Sequence, residues 1–237
     1  MDKLIKLKSA KPFEIRCKSE TRAEITIYEE IGEGGFFYDS LSAKEFNKQL
    51  KTLPDTVNQI DVRINSPGGD VFDGITIYNR LKQHKAKVTV YVDGLAASIA
   101  SIIALAGDEI IMSEGAMVMI HKPWTVAVGD SSSLQETIDR LDDVEEQLLS
   151  IYQRKTGLDR SELRQMLSGE TWMDAEQAID LGFADKVSQE ESAPIAASLK
   201  DKAWINKTPR INDENKLINE KVNGFKNDVK DYLARKK

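Results

Sequence analysis

A single cysteine in 237 residues, Cys17, excludes an internal disulfide framework and fits a reducing compartment. It belongs to no metal-spacing pattern, and neither a metal nor another cofactor is expected. Histidine is almost as scarce: only His84 and His121 are present, so chemistry needing an imidazole has two candidates. Positive charge is not in excess either. The net charge of −6 argues against non-specific nucleic-acid binding, because the phosphates would be repelled. No glycine-rich loop ends in Lys-Ser or Lys-Thr, so the chain itself should not hydrolyse ATP. The N-terminus has charge but no continuous apolar stretch, and no signal peptide is expected. The longest apolar run, residues 95–106, carries two serines, is too short to span a bilayer and reads as a buried helix. A soluble, cytoplasmic protein follows. With six prolines, 41% hydrophobic and 30% charged residues, the composition is neither low-complexity nor disordered, and the length suffices for a full core.

Hydrophobic patterning then supplies the elements. Residues 23–31 alternate apolar and polar, as a strand with one buried face does, and Gly32, Gly34 and Gly35 break it. Ser42 and Glu45 form a capping-box pattern ahead of a helix carrying Phe46 and Leu50. Residues 60–64 make a strand leading into Pro67-Gly68-Gly69, and Phe72, Ile75, Ile77, Tyr78 and Leu81 form a helical stripe. Further strands are expected at 87–92, 109–112 and 117–120. A long helix is expected from Ser133, capped with Glu136 and ending near Gly157, with Leu134, Ile138, Leu141, Leu148, Ile151 and Tyr152 along one face. Shorter helices follow Asp159 and Asp174, with a brief extended piece at Trp172-Met173 between them. Strand–helix alternation of this kind predicts βαβ units, with helices covering a largely parallel sheet and ligands beyond the strands' carboxyl ends.

Three features share that end of the sheet. Ser98 follows an apolar strand where a helix of small side chains begins, and unpaired N–H groups in a first helical turn favour developing negative charge. Ser101, one turn further in, reads as structural. His84 lies in the basic last turn of a helix, a common structural position. His121 ends an apolar strand and is the better general base. Gly68 and Gly69 can be a simple turn, or a bare backbone whose N–H groups approach a substrate carbonyl. The Gly69 turn and the N–H of Ile99, directly after the nucleophile, would then form an oxyanion hole. Nucleophile, base and oxyanion donors together point to a serine peptidase.

The segments 64–69, 94–98, 119–123 and 175–182, in order and similarly spaced, resemble the Clp protease proteolytic subunit, ClpP, over residues 23–187. Segments 61–64, 107–111 and 169–173 resemble more closely the ClpP-related head maturation (prohead) proteases of tailed phages and prophages. The resemblance implies an α/β fold of repeated ββα units, ClpP/crotonase-like, with a protruding handle helix over 131–152 through which subunits interlock, plus a C-terminal helical tail. It also implies a homo-oligomer, ring-shaped, cleaving a capsid or scaffold protein during procapsid assembly. One departure stands out. Where ClpP-like enzymes carry a triad aspartate, this chain has Thr171, with Glu170 beside it. A hydroxyl can orient an imidazole but cannot stabilise imidazolium by charge. Asp174, ahead of a helix, reads as an N-cap. The expected site is therefore Ser98 and His121, with Thr171 as third member or a nearby carboxylate in its place. Residues 124–128, after the histidine, read as an extended edge able to pair with a substrate strand.

Residues 1–187 form the peptidase domain on this reading, 188–210 a linker, and 211–237 an amphipathic helical tail. From residue 188 onward 11 basic residues face 8 acidic ones, so the tail is net positive and the body net negative. Three competing functions remain: a ClpP-type subunit fed by an ATP-dependent unfoldase, a crotonase-like acyl-CoA enzyme, and a non-catalytic assembly factor. The first is disfavoured by an N-terminus unlike ClpP's axial segment and by the added tail.

Overall fold

The computed structural model describes residues 13–33 and 40–188. The proposed tail, and the linker beyond Ser188, lie outside the described residues, as do Gly34 and Gly35. An eight-stranded sheet organises the rest. β1 (Phe13–Cys17) pairs antiparallel with β2 (Arg22–Ile27), and β2 pairs in parallel with β5 (Gln59–Ser66). Between them β3 (Glu30–Ile31) and β4 (Ser40–Leu41) form a small parallel pair, followed by α1 (Ala43–Leu50). Next come α2 (Val71–Lys82), β6 (Lys87–Ala97), α3 (Ile99–Ala104), β7 (Glu109–Met112) and β8 (Met117–Ile120). The chain then forms α4 (Ser131–Thr156), α5 (Arg160–Ser168), β9 (Thr171–Met173), α6 (Ala175–Asp180) and β10 (Lys186–Val187). The strand order is β1-β2-β5-β6-β7-β10, with β8 pairing both β6 and β9. This is the α/β arrangement expected from the sequence, a largely parallel sheet with helices between its strands.

One face of the sheet is apolar because side chains alternate along each strand: Ala23, Ile25 and Ile27 from β2 and Ile60, Val62 and Ile64 from β5 are fully buried. The opposite face carries ion pairs, among them Arg22 with Asp61 and Arg63 with Asp93.

The strand β6 is the element that places the site. Its first half pairs with β7 (Thr89↔Glu109 to Val92↔Met112), and its last three residues pair with β8 instead (Leu95↔Met117 to Ala97↔Met119). The switch falls at Gly94, where a Cβ would come within 2.8 Å of Asn65 Oδ1, and the β5–β6 register shifts beside it.

Several expectations change. The apolar run 95–106 is not one helix: residues 95–97 extend β6, and the helix begins only after Ser98. Ala96 and Ala97 complete the ladder with β8, and this pairing overrides the helical preference of alanine. Helix α4 starts earlier than Ser133, because the Asp130 carboxylate accepts the Ser133 N–H at 2.9 Å and caps the helix from Ser131. Phe72 is 67% exposed, and Gly74 takes its place on the buried face of α2. A Cβ at Gly74 would lie 2.1 Å from Ile99 Cγ1, so the missing side chain lets α2 close against the first turn of α3. Residues 124–128 form no strand. The strands β1 and β10 were not expected. Among the described residues, no helix is long and apolar enough to cross a membrane.

Candidate active site

Ser98 is the joint between strand and helix. Its backbone adopts φ 53° and ψ −128°, a region that residues with a side chain rarely occupy. The parallel register Ala97↔Met119 continues through a bond from Ser98 N–H to the Met119 carbonyl, 2.8 Å long. That register sets the residue after β6 beside the residues ending β8. His121, the first residue beyond β8, brings its Nε2 to 2.7 Å from Ser98 Oγ. Two side chains 23 positions apart in sequence thus meet through one strand pairing.

The turn after β5 approaches from the other side. Gly68 has φ 98°, and a Cβ there would fall 2.7 Å from both the Ala97 carbonyl and Ser98 Cβ and 3.2 Å from Ile99 N. Only glycine lets this turn lie against the serine. Gly69 (φ 144°) follows, bridged to Ile31: Ile31 N–H donates to the Gly68 carbonyl at 2.8 Å, and Asp70 N–H to the Ile31 carbonyl at 2.7 Å. Among the described residues, no hydrogen bond to the N–H of Gly69 or of Ile99 is present. Ile99 opens α3 without a side-chain cap, so its N–H keeps the unpaired character of a first helical residue. Beyond Gly69 an acidic cleft of about 540 Å³ is lined by Glu30, Ile31, Gly32, Glu33, Asp70 and Asp73. Burial, reinforced by Asp70 and Glu33, raises the Asp73 carboxyl above the ordinary range against the pull of an Ala43 backbone bond.

β9 supplies the third side. Its antiparallel pairing puts Thr171 opposite Ile120, the residue before His121. The Thr171 hydroxyl donates to the Met166 carbonyl at 2.7 Å. Glu170, in a left-handed conformation (φ 49°), accepts the Trp172 indole N–H at 3.2 Å. Asp174 caps α6 in a reciprocal capping box with Gln177. His84 has a structural partner, since its Nδ1 accepts the Ala86 N–H at 3.1 Å. Burial, then Lys85 and Arg80, lowers its pKa.

Two contacts close to these residues were not foreseen from the sequence. Lys122, next to His121, pairs with the buried Glu145 of α4 at 3.1 Å, and its N–H donates to the Leu167 carbonyl. Glu145 breaks the apolar pattern of the α4 buried face, which was a visible signal. Ser101 and Tyr152 meet in the core at 2.8 Å, a contact between elements 51 residues apart that no local pattern announces.

The model of the family described as Clp protease matches residues 24–191. Over 155 residues the chain is 33% identical to the ATP-dependent Clp protease proteolytic subunit 1 of Protochlamydia amoebophila, covering 63% of this chain and 75% of that one. It is 30% identical over 153 residues to the ATP-dependent Clp protease proteolytic subunit of Bacteroides fragilis, covering 63% and 74% respectively. A solved ClpP1 mutant from Listeria monocytogenes superposes with a TM-score of 0.61 at 24% identity, over 71% of this chain and 92% of that one, a likeness of fold. A matched span holding the serine elbow, the histidine strand and the glycine turn makes this chain a member of the Clp protease family, and with it a serine-type peptidase by descent.

Proposed function

We propose that this chain is a serine endopeptidase in which Ser98 forms the acyl-enzyme and His121 is the general base. The observation that carries the reading is the 2.7 Å contact between Ser98 Oγ and His121 Nε2. In the first step Nε2 takes the hydroxyl proton as Oγ attacks the scissile carbonyl carbon. The negative charge moves to the carbonyl oxygen, where the N–H groups of Gly69 and Ile99 receive it. Collapse breaks the C–N bond, and the imidazolium returns its proton to the leaving amine. Water, activated by the same imidazole, then releases the acyl group and restores Ser98. Thr171 is the third member, orienting His121 without adding charge.

The proposed substrate is a capsid or scaffold protein cleaved during phage head maturation, in the cytoplasm of the host or within the procapsid, by a ring-shaped homo-oligomer. Residues 1–187 are the peptidase domain in this proposal, with the linker and helical tail as additions. Supporting it are the segments 61–64, 107–111 and 169–173 and a hydroxyl at position 171. A second reading, a proteolytic subunit served by an ATP-dependent unfoldase, is favoured by the names of the 33% and 30% identical relatives.

Incubation with a fluorophosphonate probe, followed by mass mapping of the adduct, tests the chemistry. Labelling at Ser98 that disappears in Ser98→Ala is expected; a folded oligomer that takes no label would favour a non-catalytic assembly factor. Co-expression with a capsid precursor tests the substrate, and an uncut precursor beside an active enzyme would shift the balance to the unfoldase reading.

A further inference from the structure

We infer that Ser101 and Tyr152 are positioning residues that clamp the Ser98–Ile99 peptide and so aim the Ile99 N–H at the oxyanion. This rests on the reading of Ser98 as nucleophile and Ile99 as oxyanion donor. A peptide unit is planar and trans, so its C=O and N–H point in opposite directions. Whatever holds the Ser98 carbonyl therefore fixes where the Ile99 N–H points.

That carbonyl is held twice. It accepts the Ser101 N–H at 3.0 Å and the Ser101 hydroxyl at 2.6 Å. Since the Ser101 proton is committed there, the 2.8 Å contact with Tyr152 must run the other way, the phenol donating to Ser101 Oγ. The direction agrees with the environment: burial pushes the Tyr152 phenol well up, so it keeps its proton. Ser101 and Tyr152 are 0% and 1% exposed. The chain of bonds thus runs from α4 through α3 to the strained joint.

A helical serine bonding back to its own preceding turn is commonplace. Two features set this one apart. The carbonyl belongs to a residue at φ 53°, where the peptide plane needs holding against relaxation, and a fully buried phenol from a distant helix is spent on the same hydroxyl. Polar groups are costly to bury, and here both satisfy each other at one peptide.

The test separates positioning from stability. Ser101→Ala strands the Tyr152 hydroxyl without an acceptor, so it should lose both stability and activity. Tyr152→Phe keeps the ring packed on Phe183, 5.7 Å between centroids, and loses only the donor. The double variant removes both polar partners, so its urea midpoint should recover towards that of the unsubstituted chain. Its kcat should not recover. Outright loss of one oxyanion donor costs about 10²–10³-fold in kcat, so a misaimed one should cost about tenfold or more. The KM for a fluorogenic peptide should hold, while a peptide aldehyde, which forms a tetrahedral adduct, should bind more weakly by the same factor. Recovery of kcat and aldehyde affinity together with stability in the double variant would overturn the inference. Activity surviving in Ser98→Ala, run alongside, would instead overturn the reading on which it rests.

Discussion

Thr171 stands opposite Ile120, one residue before His121, and has no charge to offer. Its hydroxyl proton goes to the Met166 carbonyl, so towards an imidazole N–H it has only lone pairs to offer. That suffices to select a tautomer and hold a ring; it does nothing for imidazolium charge. Thr171→Val keeps the shape and removes the acceptor. If Thr171 orients the base, kcat should fall about tenfold, a part of the 10²–10⁴ that a positioned base contributes, with KM unchanged. Losing the bond to Met166 should also cost about 1 kcal/mol in a denaturant titration. An unaltered kcat would move the third role elsewhere, Glu170 being the nearest carboxylate in sequence. The glycines give a second residue-scale contrast. At Gly157, the left-handed cap of α4, a Cβ would meet nothing within 4 Å, so Gly157→Ala should cost only the conformational penalty, about 1 kcal/mol. At Gly69 the same change puts a Cβ 2.0 Å from the Ile31 carbonyl, so Gly69→Ala must shift backbone. Its denaturation midpoint should drop much further than that of Gly157→Ala, and its turnover with it.

At the scale of elements, what was legible in the sequence were the patterns that a segment carries alone. The strands β7 and β8 match their expected bounds, and α4 stops at Gly157 as expected. What escaped depended on partners. Residues 95–97 are strand only because β8 lies alongside, and a short apolar run has no period to tell it from a buried helix. β10 is two residues long and exists through its pairing with β7. The contact between Ser98 and His121 was foreseeable as a pairing of residue types, but its geometry is a product of register. Helix α2 offers a prediction of its own through His84, at its C-terminal end. Because burial, then the charges of Lys85 and Arg80, disfavours its charged form, folding favours the neutral ring, and the folded pKa lies below the ordinary 6.5. Between the folded and unfolded values the unfolded chain binds more protons, so stability rises with pH in that window and levels off above it. Urea midpoints from about pH 5 to pH 7.5 should climb less steeply in His84→Gln than in the unsubstituted chain. Equal slopes would mean that His84 does not contribute to the acid-side loss of stability.

For the whole molecule, α4 poses a question of partnership. Its 26 residues span roughly 39 Å at the usual rise. The side chains it buries within the chain, Glu145, Leu148, Leu149 and Tyr152, all belong to its C-terminal half. The apolar stripe continues into the N-terminal half, yet there Leu134 and Ile138 are 38% and 50% exposed. Helical propensity alone does not secure so many turns in water; an amphipathic face needs something to cover it. The residues after His121 add to the same balance, with Trp124, Val126 and Val128 exposed as well. A homo-oligomer in which α4 of one copy is covered by another would meet this need, in keeping with the proposed handle. Replacing Leu134 and Ile138 together by lysine adds two like charges to that stripe and removes its apolar contacts, without touching the buried half. Light scattering should then report a lower mass than for the unsubstituted chain, while circular dichroism still shows the α/β fold. If mass is unchanged, the interface lies elsewhere on the molecule. If mass falls and probe labelling of Ser98 falls with it, assembly supports the site as well, and the bonds from α4 to Lys122 and Ser101 give that dependence a physical route.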